Sequence, residues 1–566
     1  MTTKIAENGD RPHRARLWDR QDVAMMLQTF SAAQRQGTSE REFSSEHDVP
    51  RTTLQYWQKR RDQIEAAPRV VAFFESPEGV VFLERLVLAA HVVMTQMGTC
   101  GIRLVSTFLE YAGLEGFIGC SFGAQQQVSS EVLDLVITYG KEEQARLKAI
   151  MPHKRVTLCL DETFPSQGQC LVAMEPVSGF VLLEEYREKR DAVTWNRAIE
   201  QATKGMNIEV EQVTSDGAKA LIRHAKDQNA HYSPDLFHVQ QDITRAMGQV
   251  MGQHLRRAEQ AVVDSAATLD EHKAARQAYE HGLRKRGRPP HFDKRIEGAC
   301  DRVQSDRAAL KAATDQKGRY TAALRGVGDQ YHPYSLETGA PRNAELLAEQ
   351  LGAQFAELDE LATDVCLSDK RCAKLAKARR VAPRMVATLS FYHQQVEARL
   401  QAETLSTDER SLLMETWIPA AYLMIAAPKA RDSESGEALR QLSTELMAAQ
   451  KPAWESLSLD AQKRLDGIAR SCAQVFQRSS SCVEGRNGVL ALAEHARRQL
   501  PEKKLRSLTV FHNYAIRRTD GTTAAERFFG TPPHDLFDWL LTRFSRVPRP
   551  RKRRSQAEKE IPLLCQ

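Results

Sequence analysis

The sequence has no C-x-x-C pair, although it contains ten cysteines among its 566 residues. Their scattered placement argues against a zinc ribbon and a disulfide framework, and it is typical of a protein in a reducing compartment. The sequence also lacks a run of about 18 apolar residues, so we expect no transmembrane helix and no membrane partner. The first residues, MTTKIAENGDRPHRAR, lack the apolar segment of a signal peptide. We therefore expect a cytoplasmic protein.

Neither sign of charge is in large excess, because the net charge is only +6 and the mean hydropathy is -0.48. Basic residues are nevertheless concentrated in RKRGRPP (284–290) and RFSRVPRPRKRR (543–554). Such clusters indicate contact with a polyanion, although solvated tails can have the same composition. The first cluster contains R-G-R-P, which suits a narrow minor groove and predicts DNA contact by Arg286 and Arg288. A basic loop between two helices is the alternative.

Residues 38–62, TSEREFSSEHDVPRTTLQYWQKRRD, read as two helices joined by a tight turn at 48–50. This is the spacing of a helix-turn-helix, whose second helix can lie in the major groove of DNA. The second helix carries side chains that commonly contact bases or phosphates. These are Arg51, Thr52, Gln55, Lys59 and Arg60. A surface helical hairpin is the alternative interpretation.

The hydrophobic period changes at residue 155. Three short apolar runs separated by turn residues, RVTLCLDET, GQCLVAMEP and GFVLLEEYR, predict consecutive antiparallel strands. A helix (192–205), a strand (208–216), a helix (217–227) and a strand in PDLFHV (234–239) follow. The order β-β-β-α-β-α-β predicts a mixed sheet with helices against it. From 239 to about 480 the sequence reads as almost entirely helical.

Three acids stand where the chain leaves or enters these elements. Asp161 ends the first strand, Asp216 ends the fourth, and Glu484 lies where a loop opens into a late helix. The strand order places the ends of strands one and four side by side. Crowded carboxylates need divalent cations, and ligands that are all oxygen favour Mg²⁺ or Mn²⁺. Each acid alone could equally be a turn residue or a helix cap.

The segments LCLDET, VTSDGAKAL and PDLFHVQQDI resemble the first two acidic motifs, and the following strand, of DDE transposases with a ribonuclease H-like core. SSSCVEGRNGVLAL is similar to the S-x-x-x-E-G-x-N motif of bacterial insertion-sequence transposases. HNYAIRRTDGTTAAERFFG resembles the stretch after the catalytic Glu of integrase-like enzymes, although Thr519 and Asp520 stand where that family has Pro-His. The resemblance covers about 155–242 and 478–530.

The resemblance implies that Asp161, Asp216 and Glu484 are the catalytic triad and hold two Mg²⁺ ions, for which Mn²⁺ can substitute. Glu494 on the same predicted helix is a rival third ligand. The long gap before the third acid resembles transposases that carry a helical insertion there. The implied activity is DNA cleavage and strand transfer at the ends of a mobile element. The implied partners are double-stranded DNA (element ends and target) and further copies of the chain, in a bacterial nucleoid.

Further residues near the motifs are candidates for a role at the site. We expect Arg486 and Asn487 to contact the scissile DNA backbone and His238 to orient a phosphate or a ligand. Trp417 could stack on a flipped base. Core packing is the alternative for both His238 and Trp417. Three acids are expected to be structural: Glu162, Asp235 and Asp242.

We therefore expect an α+β multidomain protein, with an N-terminal all-α helix-turn-helix region and a ribonuclease H-like mixed sheet interrupted by a large all-α insertion. The expected domains are the arm and helix-turn-helix (1–70), a second helical domain (71–150), the first part of the core (151–242), the insertion (243–477), the last part of the core (478–542) and a basic tail (543–566). A nuclease without strand transfer and a non-catalytic DNA-binding protein derived from a transposase are the alternative functions.

Overall fold

The computed structural model describes residues 18–165, 168–283, 287, 288, 290–497, 499–544 and 547–550. Most of the predicted N-terminal arm, Arg286 and residues 551–566 of the predicted tail lie outside these residues. The chain forms two compact units. The first is Met1–Met151, Pro165–Gln167 and Val489–Gln566, and the second is Pro152–Phe164 and Gly168–Gly488. Each unit is therefore assembled from segments that are far apart in sequence.

The first unit opens with helices α1–α7 in its described residues. They are Arg20–Arg35, Glu40–Glu46, Arg51–Asp62, Pro68–Phe74, Pro77–Ala90, Ile102–Tyr111 and Phe122–Ile150. α1, α2 and α3 enclose a small apolar core of Val23, Leu27, Phe30, Phe43, Val49, Leu54 and Trp57. Ser39 and Glu42 form a capping box that starts α2, which satisfies backbone N–H groups at its first turn. α2 and α3 are the two helices that the sequence predicted as a helix-turn-helix.

Helix α5 continues into a π-helical segment, His91–Met97. The combined segment Pro77–Met97 is, among the described residues, long and apolar enough to pass a test for a membrane span by length and composition. Half of its most apolar window is buried inside the protein. A helix packed in a protein core can have the same length and composition.

The second unit begins with a mixed five-stranded sheet. Its strands β1–β5 are Lys154–Thr163, Gln169–Glu175, Phe180–Arg187, Ile208–Ser215 and His231–Pro234. Their spatial order is β3-β2-β1-β4-β5, with β1, β2 and β3 antiparallel and β1, β4 and β5 parallel. Helices α8 (Ala192–Thr203) and α9 (Lys219–Asp227) precede β4 and β5. The predicted order β-β-β-α-β-α-β is confirmed, although its last strand lies before the segment in which it was predicted.

Strand β1 is central, and its residues from Val156 to Leu160 are buried. A strand with both faces covered reads as a continuous apolar run rather than an alternating one. In the parallel pairing of β1 with β4, Cys159 lies opposite Thr214. Asp161 and Asp216 each follow that pair by two residues. The two acids therefore emerge at the same edge of the sheet, as predicted.

The predicted strand in PDLFHV is wrong. β5 ends at Pro234, and α10 spans Leu236–Ile243. Asp235 is the N-cap of α10, since its side chain accepts a hydrogen bond from the backbone N–H of Phe237 at 2.8 Å. Leu236, Val239 and Ile243 are buried at helical spacing, which a short window cannot distinguish from a buried strand.

A helical region follows α10 through a π-helical turn, Thr244–Gly248. Helices α11–α20 are Gln249–His281, Phe292–Gln330, Ala344–Asp364, Asp369–Arg379, Ala382–Gln401, Thr407–Leu412, Ile418–Ala426, Ser433–Ala449, Lys451–Glu455 and Leu459–Ala473. The buried face of α10 belongs to the same apolar core as the helices around Leu351, Tyr392 and Leu423. The predicted helical insertion is thus continuous in packing with the last helix of the sheet region.

The remaining helices, α21–α24, are Ser481–Arg497, Glu502–Tyr514, Ala524–Phe529 and Leu536–Leu541. α21 begins in the second unit, and Glu484 lies in its first turn. This late helix thereby supplies the third predicted acid to the unit that contains β1 and β4.

Candidate metal centre

The first two predicted acids are held by hydrogen bonds from nearby amides. Asp161 is partly buried on β1, and its Oδ1 accepts the backbone N–H of Glu162 at 2.8 Å. Asp216 is exposed just after β4, and its Oδ1 accepts the backbone N–H of Ala218 at 2.9 Å. The turn from Asp216 to Ala218 requires Gly217, whose φ of 86° lies in the left-handed region. These bonds orient both carboxylates at the sheet edge.

The chain segment that leads into α21 is bonded to the sheet region at several points. The backbone N–H of Leu236 donates to the carbonyl of Arg478 at 2.9 Å. The N–H and hydroxyl of Ser480 both donate to Oδ2 of Asp235, which is buried. Gln212 on β4 donates through Nε2 to the carbonyl of Gln477 at 3.3 Å. These contacts fix the first turn of α21, and therefore Glu484, next to the sheet edge.

Asn487, one turn after Glu484, completes this attachment. Its Nδ2 donates to Oδ2 of Asp161 at 2.9 Å. The helix that carries Glu484 is therefore bonded directly to Asp161 through the Asn487 side chain. Glu494, the rival third ligand, lies ten residues after Glu484 on α21, which is about 15 Å along a helix axis. The second turn of the helix, at Asn487, is attached to Asp161.

The pKa of Asp161 is raised from its ordinary value to about 6. Burial is the main cause, and the negative charges of Asp216 and Glu484 add to it, while the Glu162 N–H and His238 oppose it. The pKa of Glu484 is raised by burial and by the charge of Asp235, against the opposing effect of His238. The three predicted acids are therefore close enough for their charges to interact, and bringing a cation among them would relieve the repulsion.

Three side chains bring possible metal ligands within 4.8 Å of one another: Asp235, His238 and Glu484. Both oxygens of Asp235 already accept hydrogen bonds, from Phe237 and from Ser480, so its carboxylate serves the backbone around it. His238 and Glu484 are only partly buried. Carboxylate oxygens suit a hard ion such as Mg²⁺ or Mn²⁺, whereas an imidazole nitrogen suits transition metals. The structure thus places possible ligand atoms of Glu484 beside those of His238 and Asp235, and it brings Asp216 and Glu484 close enough to Asp161 for their charges to interact.

Glu162, adjacent to Asp161, faces different partners. Arg190 donates to its Oε2 at 2.8 Å, and the indole N–H of the buried Trp195 donates to its Oε1 at 3.4 Å. The ion pair with Arg190 and the hydrogen bond from the Trp195 indole hold this carboxylate next to α8. Its structural role agrees with the expectation from sequence.

The prediction that Arg486 contacts the DNA backbone is wrong. Its guanidinium side chain is only 2% exposed and forms a bidentate ion pair with Glu184, whose side chain is 0% exposed. The two bonds, Nε to Oε1 and Nη2 to Oε2, measure 2.7 and 2.6 Å. A buried guanidinium requires such a partner because an unpaired buried charge is costly. Asn487 is bonded to Asp161, and its contact with DNA stays a prediction.

Trp417 lies in the core of the helical region, where it stacks on Trp454 with ring centroids 4.1 Å apart. Its side chain has little surface left for a base, and the packing alternative applies. His238, by contrast, is beside Glu484 at the sheet edge. Trp417 is therefore a core residue, whereas His238 lies at the candidate metal centre.

The predicted DNA-contacting residues of α3 differ in their contacts within the protein. Thr52 and Lys59 are exposed. Arg51 and Gln55 are exposed but bonded to Glu40 of α2, at 3.2 and 2.8 Å. Arg60 donates to the carbonyl of Pro550 at 3.2 Å. Arg288, near the start of α12, is exposed, and Arg286 lies outside the part of the chain that the structure describes.

Sequence reasoning missed two features of this centre. The first is the Asp235–Ser480 link, for which the N-cap position of an Asp after a Pro was the available signal. The second is the Glu184–Arg486 pair, which joins residues 302 positions apart and leaves no local pattern. Both features position the helix that carries Glu484.

Comparison with known proteins adds one family. No curated protein matches the chain. A family of unknown function, DUF6399, matches residues 413–556. The matched segment contains Glu484, Arg486 and Asn487, and it begins after Asp161 and Asp216.

Proposed function

We propose that this chain is a metal-dependent enzyme that cleaves and joins DNA, a transposase of the DDE type acting at the ends of a mobile element. One observation carries the proposal. Asp161 near the end of β1 and Asp216 just after the parallel strand β4 lie at one sheet edge, and both Asp216 and Glu484, from a helix 268 residues after Asp216, are close enough to Asp161 to raise its pKa. Like charges gathered in this way are typical of sites that bind metal and transfer phosphoryl groups.

The fold supports the same proposal. The order β-β-β-α-β-α-β, with β1 central, agrees with a ribonuclease H-like core. The resemblance of LCLDET, VTSDGAKAL and SSSCVEGRNGVLAL to transposase motifs falls on the three acids. The large helical region between the second and third acids is the insertion that the resemblance implied.

In this mechanism, Asp161, Asp216 and Glu484 would hold the metal ions. Two bound Mg²⁺ ions would supply activation of a water or a 3′-hydroxyl and charge stabilisation of the leaving oxygen in a phosphoryl displacement. The protein's own contribution is orientation. Asn487 holds Asp161 through Oδ2, and Asp235 holds the segment before Glu484 through Ser480. These bonds keep the carboxylates in place before DNA arrives, which lowers the cost of assembling the site.

The N-terminal helices would supply recognition of the element ends. Thr52 and Lys59 present exposed polar groups on α3, and Arg51 and Gln55 can exchange Glu40 for phosphate or base edges. A mobile element has two ends, and each chain carries one such centre in its described residues. We therefore propose that two or more copies assemble on double-stranded DNA.

The test is nicking of supercoiled plasmid, in Mn²⁺ and then in Mg²⁺. Asp216→Asn keeps the side-chain oxygen that caps Ala218 but removes the charge, so the fold should survive. We expect the wild type to nick and Asp216→Asn to be inactive. Asp227→Asn is the matched control, because Asp227 is also a surface acid beside a helix but lies at the end of α9. It should nick like the wild type.

The remaining outcomes distinguish the other functions. Nicking without joining, when element-end DNA is supplied with a free 3′-hydroxyl, would favour a nuclease. Equal activity of Asp216→Asn and the wild type would exclude this centre. Salt-sensitive DNA binding with no cleavage of any substrate would favour a non-catalytic DNA-binding protein.

A further inference from the structure

A cavity of about 520 Å³ lies in the second unit, where the π-helical turn Thr244–Gly248 meets α14. Six residues line it: Thr244, Arg245, Gln249, Lys370, Arg371 and Lys374. Four of the six are cations, and none is a carboxylate. We call this cavity the basic pocket.

One wall of the basic pocket is fixed by Arg371. Its Nη1 donates to the carbonyl of Ala246 at 3.0 Å, and its Nη2 donates to Oε1 of Gln249 at 2.8 Å. These bonds join α14 to the start of α11 across the cavity. The guanidinium is therefore held in place before any ligand binds, which reduces the ordering cost of binding.

The other cations are exposed around this fixed group. Lys370 and Lys374 are four residues apart on α14, so they share one helix face, and Arg245 faces them from the π-helical turn. One turn further on, Lys377 pairs with Asp242 at 2.8 Å. α14 therefore has an acid within reach of one of its lysines, yet no acid is among the residues that line the cavity. Such a concentration of positive charge suits an anion with several oxygens.

The basic pocket is a short distance from the candidate metal centre. Arg245 follows His238 by seven residues along α10 and the π-helical turn, which is about 10 Å at the helical rise. A duplex advances about 3.4 Å along its axis per base pair. A duplex engaged at the acids therefore carries further phosphates within reach of the basic pocket.

We propose that the basic pocket binds backbone phosphates of the double-stranded DNA that is engaged at the metal centre. The choice of DNA as the ligand rests on the proposed function, whereas the preference for phosphate rests on the lining of the pocket. Phosphate contacts of this kind set the register of a duplex and carry no sequence information. The pocket thus positions DNA, and the N-terminal helices select it.

The experiment measures the affinity of a fluorescent 30-base-pair duplex in EDTA, over a series of salt concentrations. The variant is Lys370→Gln/Lys374→Gln. We expect it to bind about tenfold more weakly, and the slope of log K against log salt to fall by about 2, because two phosphate contacts are lost. The control, Lys311→Gln/Lys463→Gln, removes the same charge from exposed lysines outside the pocket. It should change affinity by no more than about twofold.

Equal losses in the two double variants would overturn the proposal, since net charge alone would then explain them. Inorganic phosphate is also titrated against the wild type and the pocket variant. If phosphate binds the wild type but not the pocket variant, while both bind DNA with the same affinity, the pocket is a site for free anions and the proposal is overturned. Tighter binding of duplex RNA than of DNA would overturn the choice of ligand. Because the binding assay needs no metal, a positive result with no plasmid nicking would leave the pocket assignment standing while the proposed catalysis fails.

Discussion

The hairpin of the second unit distributes its charge differently from the sheet edge and the basic pocket. The hairpin formed by α11 and α12 mixes both signs and pairs them, as in Arg276 with Glu280 and Asp293, and Arg302 with Asp306. The sheet edge gathers carboxylates instead, and the basic pocket gathers cations. Segregated charge destabilises a fold, so it is retained where a ligand of the opposite sign compensates for it. We therefore expect the hairpin to be structural, and we propose the two segregated regions as binding sites.

The largest expected effect concerns the acids themselves. Glu484→Gln should lower DNA nicking in Mn²⁺ by about 1,000-fold or more, since it removes a ligand worth several kcal/mol in the transition state. Glu494→Gln, on the same helix, is the control and should nick normally. A loss of activity in Glu494→Gln alone would assign the third acid to that residue instead.

The buried pair beneath Glu484 should give the next largest effect. Arg486→Met leaves Glu184 buried without its partner, so we expect the free energy of unfolding to fall by about 3–5 kcal/mol in urea denaturation. The double variant Glu184→Leu/Arg486→Met should regain most of this loss, because no unpaired charge remains. A change below about 1 kcal/mol in the single variant would show that the pair is solvated rather than buried.

Asp161 should show the cost of segregated charge directly. Its folded-state pKa of about 6 lies above its ordinary value of 3.8, so the ionised carboxylate destabilises the fold above pH 6, and the penalty disappears below pH 4. Metal-free Asp161→Asn should therefore be more stable than the wild type by about 3 kcal/mol at pH 8 and similar to it at pH 4.

Thermal unfolding in EDTA at the two pH values measures this difference. Glu162→Gln is the neighbouring control, and it should lose stability at pH 8 because Glu162 is paired with Arg190. Lower stability of Asp161→Asn at pH 8 would contradict the interpretation that the carboxylate is strained by its surroundings.

The smallest effect is expected in the hairpin. Arg276→Gln removes two exposed ion pairs, and it should change the free energy of unfolding by less than about 1 kcal/mol. DNA nicking should be unchanged. A large loss of either quantity would break the contrast between paired and segregated charge.

The local chain pattern was enough to predict much of this fold. The apolar runs that end in Asp161 and Asp216 predicted β1 and β4, and the spacing around the turn at 48–50 predicted α2 and α3. The pattern failed at PDLFHV, where a helix of two turns has the composition of a buried strand. Helix capping by Asp235, which is a local signal, would have corrected it.

Contacts between distant segments could not be predicted in the same way. In the sequence, Arg486 is a basic residue beside the motif that contains Glu484, where an exposed side chain is expected. Only the ion pair with Glu184 shows that Arg486 is buried. The basic pocket likewise depends on Arg371 meeting Ala246, 125 positions away. Neither contact changes the periodicity or composition of the segments involved.

The separation of the acids along the chain has a consequence for protein synthesis. Glu484 emerges from the ribosome 268 residues after Asp216. At roughly 5–20 residues per second, the interval is about 15 to 50 seconds. If the N-terminal helices bind DNA as proposed, a nascent chain could do so throughout that time while still lacking the proposed last ligand. Under the proposed function, unfinished chains would be chemically inert, and any that persisted would compete with complete ones for the same DNA ends.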